Sequence, residues 1–340
     1  MKKIISILFV LSVVGFFTSC SKDFLDRKPL DQKVSSNFYQ TEDDAMMALV
    51  AVYDVLGYQS TPGVSWAPFL TVSDMLSDDA FAGGSDANDG MEENQLNTFN
   101  IPTANPLVHA IWLKNYTGIY RANLLMEKID EIDASDEFKA RIVAECKFLR
   151  AYFYFELVRF FENIPLLTNT LAGPSEYSQP QAAPSDVYDQ IALDLVEAMA
   201  VLPATLPAAE YGRVTKWAAQ GLIGRVFLFY NGVYNADLNA GGTVINQSKA
   251  LEYMEDLITN SGHDLFEDYE TNFKIAGEFG IESVFEISHG QTPAWWDWNY
   301  VSGGEGNIAA QMQGPRVTGS ENWDRGWSFA TVNQKLVDDM

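Results

Sequence analysis

The stretch FLRAYFYFELVRFF, Phe148 to Phe161, decides the fold. Ten of its fourteen residues are Phe, Tyr, Leu or Val, and they lie on every side of a helical projection rather than on one stripe. A helix that is apolar nearly all the way round has neighbours on several sides, so this one is expected at the centre of the molecule. Working back from it, Phe138, Ile142, Cys146, Leu149, Phe153, Leu157 and Phe160 recur at a mean step close to 3.6, which extends the same helix upstream. Within it Arg150 needs a carboxylate, because an isolated buried charge is very costly. Glu145 and Glu156 fall on other flanks, so the partner is expected from another helix.

Outward from that centre the same period returns. Ala45, Leu49, Val52 and Leu56 form one stripe beginning at Glu42, and Ile111, Asn115, Ile119, Ala122, Met126 and Ile129 form a second. Pro184 and Ser185 open a helix carrying Val187, Ile191, Leu195, Ala198 and Leu202, which Pro203 closes. Thr215 is placed to cap another, in which Ala218, Ala219, Gly221 and Gly224 leave a low surface for a close neighbour. Ser248 is the expected cap of a further helix through Leu251, Met254 and Ile258, ended by Asn260 and Gly262. Residues 60–108 and 290–330 are rich in Gly, Pro, Asp and Asn and are expected to be irregular. ESVFEIS, from Glu282, alternates and is expected to be a strand. The fold class is therefore mainly α: helical hairpins that look like the tetratricopeptide type, stacked as an α-solenoid, with few short strands and long irregular loops of the kind that usually carry function.

The N-terminus has its own chemistry. Lys2 and Lys3 precede an apolar run from Ile4 to Phe17, then Thr18 and Ser19. That is the layout of a secretory signal over residues 1–19, and a core of fourteen residues falls short of the ~20 that span a bilayer. Ser19 before Cys20 resembles the lipobox of bacterial lipoproteins, which makes Cys20 the lipidation site and the first residue of a single domain over 20–340. With Cys20 acylated, Cys146 has no disulfide partner and is expected to be a small buried apolar residue. The formal net charge is −24, and loss of the leader with its two lysines takes it to −26. Such a polyanion repels phosphate backbones, which excludes nucleic acid as a partner.

Six blocks, in order, carry a family resemblance. They are FLDRKPLDQKVSSNFYQTEDDAMMALVAVYDVL, WLKNYTGIYRANLLMEKID, AECKFLRAYFYFELVRFFENIPLL, PSDVYDQIALDLVEAMAVLP, GRVTKWAAQGLIGRVFLFY and ESVFEIS. Together, over Phe24 to Ser288, they resemble the RagB/SusD family of outer-membrane nutrient-binding lipoproteins of Bacteroidota. The resemblance implies that the long irregular loops are ligand-binding loops, on a lipid-anchored protein at the cell surface that binds an oligosaccharide and hands it to a SusC-like TonB-dependent outer-membrane transporter, without catalysis or cofactor. Members of the family are typically longer, and this chain stops at KLVDDM, so a C-terminal share of the family's usual length is expected to be missing. A peptide cargo, which would call for a charged pocket or a free strand edge, and an envelope scaffold that bridges proteins through its solenoid groove are the competing readings.

Aromatic residues that a helical core cannot use are the binding candidates. Trp295, Trp296, Trp298 and Tyr300 crowd into one Gly-flanked loop, and Trp66 sits in the other irregular segment. Sugar rings present C–H faces that pack on aromatic planes while their hydroxyls seek polar partners, for which Asp79, Asp86 and Asn88 are the candidates. Against this stands the reading that some of these rings plug the solenoid's edge and that the acidic loop is a solvated turn. Trp323 and Trp327 are further candidates. The DANDG motif from Asp86 is not a calcium loop, since its fifth position is Gly90 and its twelfth Asn97. His109, His263 and His289 lack metalloprotease spacing, there is no serine elbow, and adjacent Asp78 and Asp79 do not make a hydrolase pair, so no catalytic or metal site is expected.

Overall fold

The computed structural model describes residues 38–59, 69–86, 88–290, 307–316, 319 and 325–339. Its first helix, α1 (Glu42–Asp54), starts at a capping box in which the Thr41 hydroxyl accepts from Asp44 N and the Asp44 carboxylate accepts from Thr41 N. Two short helices follow, α2 (Phe69–Met75) and α3 (Met91–Asn97), with strand β1 (Ala80–Gly83) between them. The long helices come next. α4 (Pro106–Lys128) has Pro106 in its first turn, and the Asn105 side chain accepts from Leu107 N and Val108 N. α5 (Asp136–Phe161) is capped by Ser135 and is about 39 Å long. α6 (Pro184–Met199) and α7 (Lys216–Tyr234) complete the stack, the latter capped by Thr215 as expected.

Consecutive helices pack on one another, α4 on α5, α5 on α6, α6 on α7, and α7 on α8 (Gln247–Asn260). A short hairpin of β2 (Leu238–Ala240) and β3 (Thr243–Ile245) turns at Gly241 and Gly242, both at positive φ, and packs on α6. The cap of α8 is Asn246, not Ser248, because the Asn246 side chain accepts from Lys249 N. Asn and Ser are near-equivalent caps, so the local pattern could not choose between them.

α5 is central. Ile142, Cys146, Leu149, Phe153 and Leu157 are all fully buried, and burial pushes the Cys146 thiol well above its ordinary range. Phe138 is only half-buried and marks the exposed start of the helix. Gly118 of α4 lets this happen: a Cβ there would lie 2.3 Å from the Phe153 ring. Arg150 finds its partner on α6. Its Nε and Nη2 meet Asp194 Oδ2 and Oδ1 at 2.8 and 2.7 Å, while Nη1 donates to Asn123 Oδ1 at 2.7 Å. Gly224 of α7 gives α8 its close approach, with the Met254 sulfur 2.6 Å from where a Cβ would stand.

Three further expectations are corrected. Residues 60–108 are not uniformly irregular, since α2, β1 and α3 form there and α4 begins at Pro106. Both short helices are seven residues, too brief for a helical period to register, and they are held by a second core. That core gathers Val72, Met75, Ala82, Leu96, Leu107, Ile111 and Ala330. Residues 290–330 likewise include α9 (Ala309–Gln313) and the first residues of β4 (Phe329–Val332), after which α10 (Gln334–Asp339) ends the described chain. ESVFEIS is not a strand: it has no ladder partner among the described residues. Its alternation serves one-sided packing instead, with Phe285 edge-on to Phe148 at 5.3 Å between centroids and Ile287 against the main core.

Candidate functional site

The two irregular segments meet. β1 pairs antiparallel with β4, in the register Ala80 with Val332 and Gly83 with Phe329. Around this clasp Arg316 makes an ion pair with Asp89, Gln313 Nε2 donates to Asp74 Oδ2 at 2.7 Å, and Asn333 N donates to Asp79 O at 2.8 Å. Hydrogen bonding from Ser85 N, helped by Arg316, holds the Asp89 carboxyl below the usual carboxylate range. Gly83, at φ 78°, is required at the crossing, since an added Cβ would fall 2.0 Å from Ser328 O.

Cys20, Trp66, Trp295, Trp296, Trp298, Tyr300 and Trp323 lie outside the described residues. Their flanks do not. Residues 60–68 leave from Gln59 and return at Phe69, whereas residues 291–306 leave from Gly290 and return at Asn307. Gln59 and His289 line one cleft, and on the return side α2 packs against α9 through the Asp74–Gln313 bond. The two aromatic-bearing segments thus leave from one cleft, and the short helices that follow them, α2 and α9, pack on each other. Asp79 and Asn88 are exposed and spend backbone groups on the turns, Asp79 N on Ser77 Oγ at 3.1 Å and Asn88 N on Asp86 Oδ1 at 2.8 Å. Neither lines the cleft. Trp327 is half-buried, its backbone N–H bonded to Gln311 O.

The cleft itself has a volume of about 340 Å³ and was not legible in the sequence, because its walls come from separate parts of the chain. One wall is the end of α1 and the turn after it, with Tyr53, Asp54, Tyr58 and Gln59. Lys114 fixes that turn by donating to Leu56 O at 2.8 Å and Tyr58 O at 3.1 Å, and burial pulls its ammonium down to about 8. The other wall is Tyr211, Gly212 and Arg213 with Glu286 to His289. An ion network braces it from behind. The fully buried Glu145 carboxylate accepts from Tyr53 Oη at 2.7 Å, Arg213 Nε at 3.1 Å and Arg141 Nε at 3.2 Å, while Arg141 and Arg213 also hold Glu210.

Comparison with known proteins places this arrangement. Residues 23–228 match the SusD-like family described as starch-binding and associating with the outer membrane. The chain belongs to the SusD-like family. A SusD-like protein of Bacteroides ovatus is 25% identical over 299 residues, 86% of this chain and 51% of that protein. Among solved structures, a laminarin-binding SusD-like protein is 31% identical with a TM-score of 0.76, covering 88% of this chain and 64% of that one. Surface glycan-binding protein A from Bacteroides thetaiotaomicron, solved with laminarihexaose, is 27% identical with a TM-score of 0.76, over 88% of this chain and 61% of that one. The chain therefore spans about half to two thirds of the length of these relatives. The tetratricopeptide-like helical fold is that of the SusD-like structures, and the family associates with the outer membrane. No helix among the described residues is long and apolar enough to cross a membrane.

Proposed function

We propose that this SusD-like protein captures oligosaccharide at the outer membrane and passes it, chemically unchanged, to a SusC-like TonB-dependent transporter. The observation that carries the reading is the departure from one cleft of the segments that hold Trp66 and Trp295 to Tyr300. Two aromatic-bearing segments that leave from one cleft and lead into helices packed on each other can present rings to a single ligand, and Trp and Tyr do so at low ordering cost. The relatives support a glycan as that ligand, since one binds laminarin and another was solved with laminarihexaose. Cys20 would carry the anchor: one acyl chain holds a membrane only marginally, whereas the several chains of a mature lipoprotein hold it stably.

Calorimetry of the chain from Ser21 against a glycan panel that includes laminarihexaose tests this. Trp296→Ala and Trp298→Ala should each weaken the sugar that binds by about tenfold, in line with ~1–1.5 kcal/mol for a stacked aromatic contact. Unchanged affinity in both variants would remove the aromatic platform. Mass spectrometry of the membrane-extracted protein tests the anchor, and an N-terminal Cys20 without fatty acid would refute it.

A further inference from the structure

The cleft beside those segments has hydrogen-bonding capacity that the described residues do not use. Gln59 is only 8% exposed, its Nε2 donates to Gly57 O at 3.3 Å, and its buried Oε1 has no partner among the described residues. A buried carbonyl left unpaired is uncommon and needs an explanation. Glu286 commits one oxygen, Oε2, to Phe279 N and Ser283 Oγ, both at 2.9 Å, and its Oε1 takes no hydrogen bond from the described residues. Asp54 is in the same position, with Oδ2 bonded to Tyr58 Oη at 2.8 Å and to Arg121, and Oδ1 without a described partner. The Arg213 guanidinium, the obvious donor, is drawn off to Glu145 and Glu210. Tyr211, 56% exposed, lines the opposite wall.

An acceptor-rich cleft facing an exposed ring selects its occupant. Phosphates and carboxylates are repelled by Asp54 and Glu286, and a peptide's carbonyls or acidic side chains would find the one guanidinium of the wall, Arg213, already committed to Glu145 and Glu210. A pyranose brings several hydroxyl donors and an apolar C–H face together. At about 340 Å³ the cleft lies near the lower end of ~300–1,000 Å³ for small-molecule sites, room for one or two sugar units. We infer that the cleft is a second saccharide subsite, distinct from the aromatic segments, which takes one end of a glycan through Gln59 Oε1 and the Tyr211 ring. The inference rests on the glycan-capture reading above.

The test is calorimetry with laminarihexaose and with glucose on the chain from Ser21, native and carrying Trp295→Ala, Trp296→Ala and Trp298→Ala together. Residual binding in the triple variant is expected, and adding Gln59→Leu or Tyr211→Ala should weaken it at least about fivefold, the worth of one ordinary hydrogen bond. Gln59→Leu removes an unpaired buried group, so its thermal midpoint should hold or rise, which separates lost binding from lost folding. A triple variant that binds nothing while the native chain binds, or residual binding untouched by both added changes, overturns the subsite and leaves glycan capture standing. A native chain that binds no sugar of the panel overturns the capture reading and the subsite with it.

Discussion

Replacing Arg150 by Met should be among the most damaging single changes in the helical core. Arg150 Nε and Nη2 grip both oxygens of Asp194, whose residue is 1% exposed, and Nη1 also reaches Asn123 Oδ1 and Thr168 O. Burial works against the guanidinium charge, and the bonds and charge of Asp194 more than offset it, so the group stays protonated. Arg150→Met leaves Asp194 with a single side-chain donor, Gln190 Nε2 at 3.0 Å. Breaking a buried pair in this way costs about 3–5 kcal/mol, a large part of a typical ~5–15 kcal/mol of stability. The double change Arg150→Met with Asp194→Leu removes the stranded charge as well and should recover at least about 2 kcal/mol of that loss. Urea unfolding followed by far-UV circular dichroism measures both, provided the slope is unchanged. A loss below about 1 kcal/mol in the single variant, or a double variant no more stable than the single, would refute the argument.

Gly83→Val should open the clasp without touching the solenoid, because Val cannot hold φ 78° and its Cβ would strike Ser328 O. The expected outcome is faster limited proteolysis near residue 328 and weaker sugar binding at an unchanged helical signal, and an unaltered cleavage rate would count against the clasp. The ion network behind the cleft should show in acid. The hydrogen bond from Arg141, with the charge of Arg213, holds Glu210 below the usual carboxylate range. Its contribution is present above the unfolded pKa of about 4.5 and is lost as pH falls from there through the folded value. The urea midpoint of the native chain should therefore drop more steeply from about pH 5 to pH 3 than that of Glu210→Gln. Parallel curves would show that Glu210 contributes no such linkage.

The helices of this protein were set by its sequence. A 3.6-residue recurrence is a property of neighbours along the chain, so α1, α4, α5, α6 and α7 could be placed from their stripes, and Thr215 could be named as a cap. The near-complete apolar circumference of Phe148 to Phe161 even told that α5 is central, because only contact on all sides makes such a helix soluble. What lay between distant residues was not written there. Asp194 as the partner of Arg150 required α5 and α6 to be docked, and the pairing of β1 with β4 joins residues some 250 positions apart, which no local period encodes. ESVFEIS had the alternation of a strand, yet a strand exists only where another chain segment offers its hydrogen bonds, and none does among the described residues. The aromatic residues of segments 60–68 and 291–306 stood out by composition, while the cleft of Gln59, Tyr211 and Glu286 had no signal at all. Each of those residues is ordinary where it stands, and only the packing of α1 and the 211–213 turn against residues 286–289 turns them towards one another.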